Sequence, residues 1–198
     1  MATESTESIR SFIAVDVEEP VRHGLRHLLG ELVQIKADVR WVREGGLHAT
    51  LKFLGSVQAP RLPQLQATLG AGLAAQPVLQ VQVCGLGAFP TLRRPRVLWV
   101  GLRGAGLVEL AAAVEQVTTA CGFEAESRPF TPHITLGRVN GTRGWSRVEE
   151  VIKAHLSDDF GSSTVDKVTV YRSTLRPTGA VYTPLWTIPL SQHKGGPS

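Results

Sequence analysis

His48-Ala49-Thr50-Leu51-Lys52-Phe53-Leu54-Gly55 and, far downstream, His133-Ile134-Thr135-Leu136-Gly137-Arg138 share the opening pattern His-x-Thr-Leu. With 6 His, 16 Thr and 23 Leu in 198 residues, chance supplies about 0.06 such matches. Two occurrences therefore point to a duplicated element. Each sits in an apolar run with strand character, and on a strand residues i and i+2 share a face. His48 and Thr50 are expected on one face, with Ala49, Leu51 and Phe53 turned into a core. His133 and Thr135 are expected to stand together in the same way, above an inward Ile134 and Leu136. Lys52 has the parity of His48 and Thr50 and is expected at the edge of the same cleft or in solvent.

Outward from these two strands the chain alternates. Residues 9–17 read as a buried strand, 20–37 as a helix opened by Pro20, and 39–42 as a short strand. A helix over 60–75 follows the first motif, carrying Leu62, Leu65, Leu69 and Leu73 at helical spacing. Strands are expected over 78–83 and 97–102, then a helix over 107–121 ended by Gly122. After the second motif come a helix over 145–156 and strands over 165–171 and 181–188. The glycine-rich stretch 101–106 reads as a tight strand-to-helix turn. Connections this short imply one α+β body, or two similar lobes sharing a core.

Composition narrows the class. The 21 Lys and Arg against 17 Asp and Glu leave a net charge of 21 − 17 = +4, compatible with an anionic substrate. Two cysteines, Cys84 and Cys121, exclude a disulfide framework and a four-cysteine zinc site. The first residues lack a basic-then-apolar leader, and no apolar run is long enough to span a membrane. The expectation is a cytoplasmic enzyme or binding domain.

Two strands of this kind brought side by side would present two imidazoles and two hydroxyls to one cleft. Imidazole titrates near pH 6.5, so one ring can accept a proton while the other donates. Thr hydroxyls can hold the oxygens of an anionic centre, and phosphodiester chemistry suits the set best. Metal binding by the two rings is an alternative, weakened by the lack of Asp, Glu or Cys beside them on the same strands. His23 and His27, at i and i+4 on the first helix, read as surface residues.

The residues resemble the 2H phosphoesterase superfamily, and most of all its LigT-like RNA 2′,3′-cyclic phosphodiesterases, also called 2′-5′ RNA ligases. Arg10-Ser11-Phe12-Ile13-Ala14, Arg40-Trp41-Val42, residues 48–55, Phe89-Pro90, residues 95–99, residues 128–138 and residues 171–175 carry the resemblance, over nearly the whole chain. It implies a bilobal, pseudo-twofold α+β fold, with two antiparallel sheets lining a central cleft and helices outside. The expected lobes are roughly 8–95 and 96–190, with tails at 1–7 and 191–198. It further implies metal-independent, cofactor-free hydrolysis of RNA 2′,3′-cyclic phosphate ends to 2′-phosphomonoesters by a monomer. His48 would be the general acid and His133 the general base, roles the sequence leaves exchangeable. Thr50, Thr135 and Arg138 would hold phosphate, and Phe12 and Trp41 would stack on base or sugar. Simple strand parity turns Arg138 away from His133, unless a bulge at Gly137 restores it. Two readings stay open: a related phosphodiesterase acting on 2′-5′ oligonucleotides or ADP-ribose cyclic phosphate, and a non-catalytic module that binds nucleotides or RNA ends.

Overall fold

The computed structural model describes residues 7–192 apart from residue 178. Of the expected tails 1–7 and 191–198, residues 1–6 and 193–198 lie outside the described residues, whereas Ser191 bridges Pro77. Among the described residues nine strands and four α-helices follow in order. They are β1 (Ser8–Asp16), α1 (Glu19–Gln34), β2 (Val39–Trp41), β3 (His48–Gln58), α2 (Leu62–Leu73), β4 (Leu79–Phe89) and β5 (Val97–Arg103). After these come α3 (Leu107–Ala120), β6 (His133–Val139), α4 (Trp145–Ala154), β7 (Asp159–Val165), β8 (Lys167–Arg176) and β9 (Gly179–Pro189). The α+β class and the helix positions agree with the expectation.

The strands form one antiparallel sheet in the order β7-β4-β5-β6-β3-β1-β8-β9, with β2 beside β6. The two sheets expected from the sequence thus meet, and they do so through one residue pair, Ala49 opposite Ile134. Each side of that junction has four strands on the main path, β7-β4-β5-β6 and β3-β1-β8-β9. These are not consecutive halves of the chain: β4 lies with β5 and β6, whereas β8 and β9 return to β1. A division near residue 95 separates chain halves but not sheet halves.

β7 was not expected as a separate strand. Its sequence, DFGSSTV, is polar, and it forms a sheet edge, bonded to β4 through Gln80–Thr164 and Gln82–Asp159 side-chain contacts. An edge strand needs no apolar alternation. β8 accordingly starts at Lys167, after Asp166.

The core forms because apolar positions on each element converge. Ala49, Ile134, Val100 and Val170 are fully buried on the sheet, as are Leu69, Leu73, Leu107 and Val114 on α2 and α3. Each such side chain contributes roughly 1.5–3 kcal/mol for leaving water. α1 buries Val21, Leu25, Leu28, Leu29 and Leu32, while Val33, also on the expected stripe, is 45% exposed. Gly106 (φ 85°) precedes α3 and Gly122 (φ 81°) follows it, both in the left-handed region glycine tolerates.

Candidate active site

The Ala49–Ile134 pair organises the site. Both side chains are fully buried on the core face, so their neighbours in β3 and β6 project the other way. Ala49–Ile134 is the one pair of this junction; in a regular antiparallel ladder its flanks would bring His48 toward Thr135 and Thr50 toward His133. Such a ladder would make the two imidazoles diagonal cross-strand neighbours, a relation of about 7–8 Å with Cβ atoms somewhat closer. By strand parity the two rings and two hydroxyls fall on the side opposite the buried Ala49 and Ile134.

His48 is enclosed by aromatic rings. Phe12 stacks on it at 4.8 Å between centroids and Tyr171 at 5.5 Å, while Tyr182 stands edge-on at 5.1 Å. Burial pushes its pKa down to about 4, partly offset by the nearby Asp16 carboxylate and by a hydrogen bond to the Gly45 carbonyl. Asp16 lies directly across from His48 in the β1–β3 register. Its carboxylate accepts from the Tyr171 hydroxyl at 2.8 and 2.9 Å, from Thr169 Oγ1 at 3.2 Å and from Arg22 Nη2 at 2.9 Å. Burial and then the Asp16 charge hold the Tyr171 hydroxyl well above the usual phenol range, so it remains a donor.

His133 is more open. Its Nδ1 lies 2.7 Å from the Thr131 carbonyl; as the Nδ1–H tautomer it donates there and leaves Nε2 free for chemistry. The Phe89 ring meets it edge-on at 5.0 Å. Burial lowers its pKa and the Arg138 charge adds to this, with the Thr131 bond opposing. Both rings are thus held neutral at pH 7 by different surroundings.

Bulges decide which neighbours join the rings. In β5–β6 pairing, Leu98 opposes Gly137 and Trp99 opposes Thr135, so Leu136 is an extra residue. Leu136 and Gly137 both turn to the core side, and Arg138 returns to the face of His133 and Thr135. A bulge of the kind expected at Gly137 is therefore present, one residue earlier. In β1–β3 pairing, Leu51 and Leu54 are the extra residues. This reverses the expectation for Lys52 and Phe53. Lys52 is 4% exposed on the helix side, bonded to Glu115 of α3 at 2.8 Å, while Phe53 is 57% exposed on the cleft side beside Phe12.

Two expected substrate-stacking residues are placed otherwise. Phe12, 3% exposed, spends its ring faces on His48 and Tyr171 and supports the catalytic candidate instead of meeting a ligand. Trp41 opposes Gly137 in the β2–β6 pairing and packs against the core, where a Cβ on Gly137 would come within 2.8 Å of it. Its neighbour Arg40, opposite Arg138, has the cleft-side parity. Asp16, Tyr171, Tyr182 and Phe89 were not expected at the site. A carboxylate closing an otherwise apolar strand was the available signal for Asp16.

Among the described residues no group of three or more His, Cys, Asp or Glu could hold a metal ion, and no helix is long and apolar enough to cross a membrane.

Residues 25–176 match the family model described as the 2′-5′ RNA ligase superfamily. An RNA 2′,3′-cyclic phosphodiesterase of Methanothermobacter thermautotrophicus is 32% identical over 176 residues, covering 88% of this chain and 95% of the relative. Its namesake in Thermotoga maritima is 32% identical over 192 residues, covering 95% and 97%. The crystal structure of E. coli LigT complexed with 3′-AMP superposes with a TM-score of 0.74 at 30% identity, over 94% of this chain and all of that one.

Proposed function

The chain belongs to the 2′-5′ RNA ligase superfamily, and on that premise we propose that it is an RNA 2′,3′-cyclic phosphodiesterase, opening cyclic phosphate ends to 2′-phosphomonoesters. The relatives bearing that name support the activity. The observation that supports the site assignment is the Ala49–Ile134 pairing, whose parity turns His48 and His133 away from the core. In this reading the cyclic phosphorus sits between the rings. Water attacks phosphorus from the His133 side and gives its proton to Nε2, already neutral at pH 7. The P–O3′ bond breaks, and O3′ takes a proton from His48. The negative charge of the bound phosphate, added to that of Asp16, favours the protonated His48 ring needed for this step. Thr50 and Thr135 donate to the non-bridging oxygens, and Arg138 supplies positive charge on the same face.

No metal enters these steps, and the two free cysteines, Cys84 and Cys121, suit a reducing cytoplasm. His48→Ala and His133→Ala should each lower turnover of a nucleoside 2′,3′-cyclic phosphate by about 10²–10⁴-fold, with wild-type activity persisting in excess chelator. Full activity in both variants would overturn the proposal. A substrate with an activated leaving group separates the roles. It should restore much of the rate to the variant lacking the donor, expected to be His48→Ala; recovery in His133→Ala instead would exchange the two.

A further inference from the structure

Arg138 has a companion. Arg40 lies directly opposite it in the β2–β6 pairing, and both are exposed. Like charges opposed on one sheet face repel and weaken the pairing. Among the ion pairs of the described residues neither guanidinium has a carboxylate. The carboxylate of Asp38, close by in sequence to Arg40, is engaged by Arg143. The opposite side of the sheet is closed here, because Val39 and Trp41 cover Gly137. The β4–β5 hairpin reaches the same end of the sheet, its Arg96 carbonyl accepting from the Val139 amide at 2.9 Å. It carries Arg93, Arg94 and Arg96, all exposed. Five arginines therefore gather at one corner of a chain whose net charge is only +4. That corner begins three residues past Thr135 on β6, about 10 Å along the strand.

We propose that Arg40 and Arg138, with the hairpin arginines, form a subsite for the backbone phosphates of an RNA chain upstream of its reacting end. The inference rests on the cyclic phosphodiesterase reading and adds to it that the preferred substrate is an oligonucleotide, not a nucleotide. An uncompensated guanidinium pair is repulsive alone and becomes favourable around a phosphate, which both forks can grip. Each phosphate so neutralised releases counterions, giving binding a salt dependence that a mononucleotide lacks.

The test compares a mononucleotide and a hexanucleotide, both ending in 2′,3′-cyclic phosphate, in the wild type and in Arg40→Ala/Arg96→Ala. Arg138 is left intact. The wild type should process the hexanucleotide with the lower KM, and that advantage should fall roughly tenfold over a fourfold rise in salt if two phosphates are held. The variant should lose about the same factor on the hexanucleotide through KM, keep its rate on the mononucleotide, and melt no lower than the wild type. Equal losses on both substrates, or no length and salt dependence in the wild type, would overturn the subsite alone. Failure of the wild type to open either substrate would instead overturn the phosphodiesterase reading.

Discussion

His48 shows how one side chain's surroundings set both its chemistry and its contribution to stability. The ring is 9% exposed within its aromatic enclosure, and burial holds its pKa at about 4. An unfolded chain would protonate it near 6.5, so between those values the unfolded state binds more protons than the folded one. The contribution is complete above pH 6.5 and is lost as pH falls toward 4, about 3 kcal/mol in all at about 1.4 kcal/mol per unit. Urea unfolding at a series of pH values should show the wild type losing stability over this window more steeply than His48→Gln. Parallel curves would mean that the ring is not held neutral. The two histidines and two threonines were legible because their spacing alone sets a shared face. Phe12 was legible as an aromatic beside the site, but whether its ring meets a ligand or a neighbour depends on what packs over it.

At the scale of elements, β3 departs most from its sequence reading. Counting alternate residues from His48 sends Phe53 inward and Lys52 outward; the extra residue Leu51, between them and His48, reverses both. A bulge exists only relative to a partner strand, where two residues face one, and Leu51 offers no signal of it of the kind Gly137 gives on β6. The reversal ties the motif strand to α3. Burial acts to raise the Glu115 carboxyl, but bonds from Lys52 and the Glu126 amide outweigh it and leave the carboxyl below its ordinary range. Glu115→Ala would leave the buried Lys52 ammonium with the Glu124 carbonyl as its partner and no counter-charge, and should cost up to about 3 kcal/mol. Replacing both partners, Lys52→Met with Glu115→Leu, should restore most of that loss. Chemical denaturation of the three variants checks it, and a double variant no better than the single one would refute it. β7 escaped notice for a different reason: most of its positions are polar, and Asp159, Ser162 and Thr164 bond side chain to side chain with β4, while Ser163 is buried against the Glu18 amide.

For the molecule as a whole, the junction between sheet halves is the sensitive point. One residue pair joins β3 to β6, and in the proposed reaction it would set the spacing of the imidazoles. Ile134→Ala should cost about 2–5 kcal/mol for the cavity, and Ile134→Val about 0.5–1.5 kcal/mol. Because a displacement near 1 Å can cost about 10²-fold in rate, the alanine variant should also lose kcat well below its melting temperature, while the valine variant keeps most of it. Melting curves and turnover measured together decide this. Normal kcat in a folded Ile134→Ala protein would show that the junction does not set the geometry.

The sequence by itself determined the class of fold, the order of most elements and the two strands that bear the histidines, because apolar periodicity and motif spacing are local properties of the chain. Tertiary structure decided which arginine joins which strand, which aromatic is buried against His48, and how the chain halves are shared between the sheet halves. Those outcomes depend on register and on bulges, which arise only when strands distant in sequence are laid side by side.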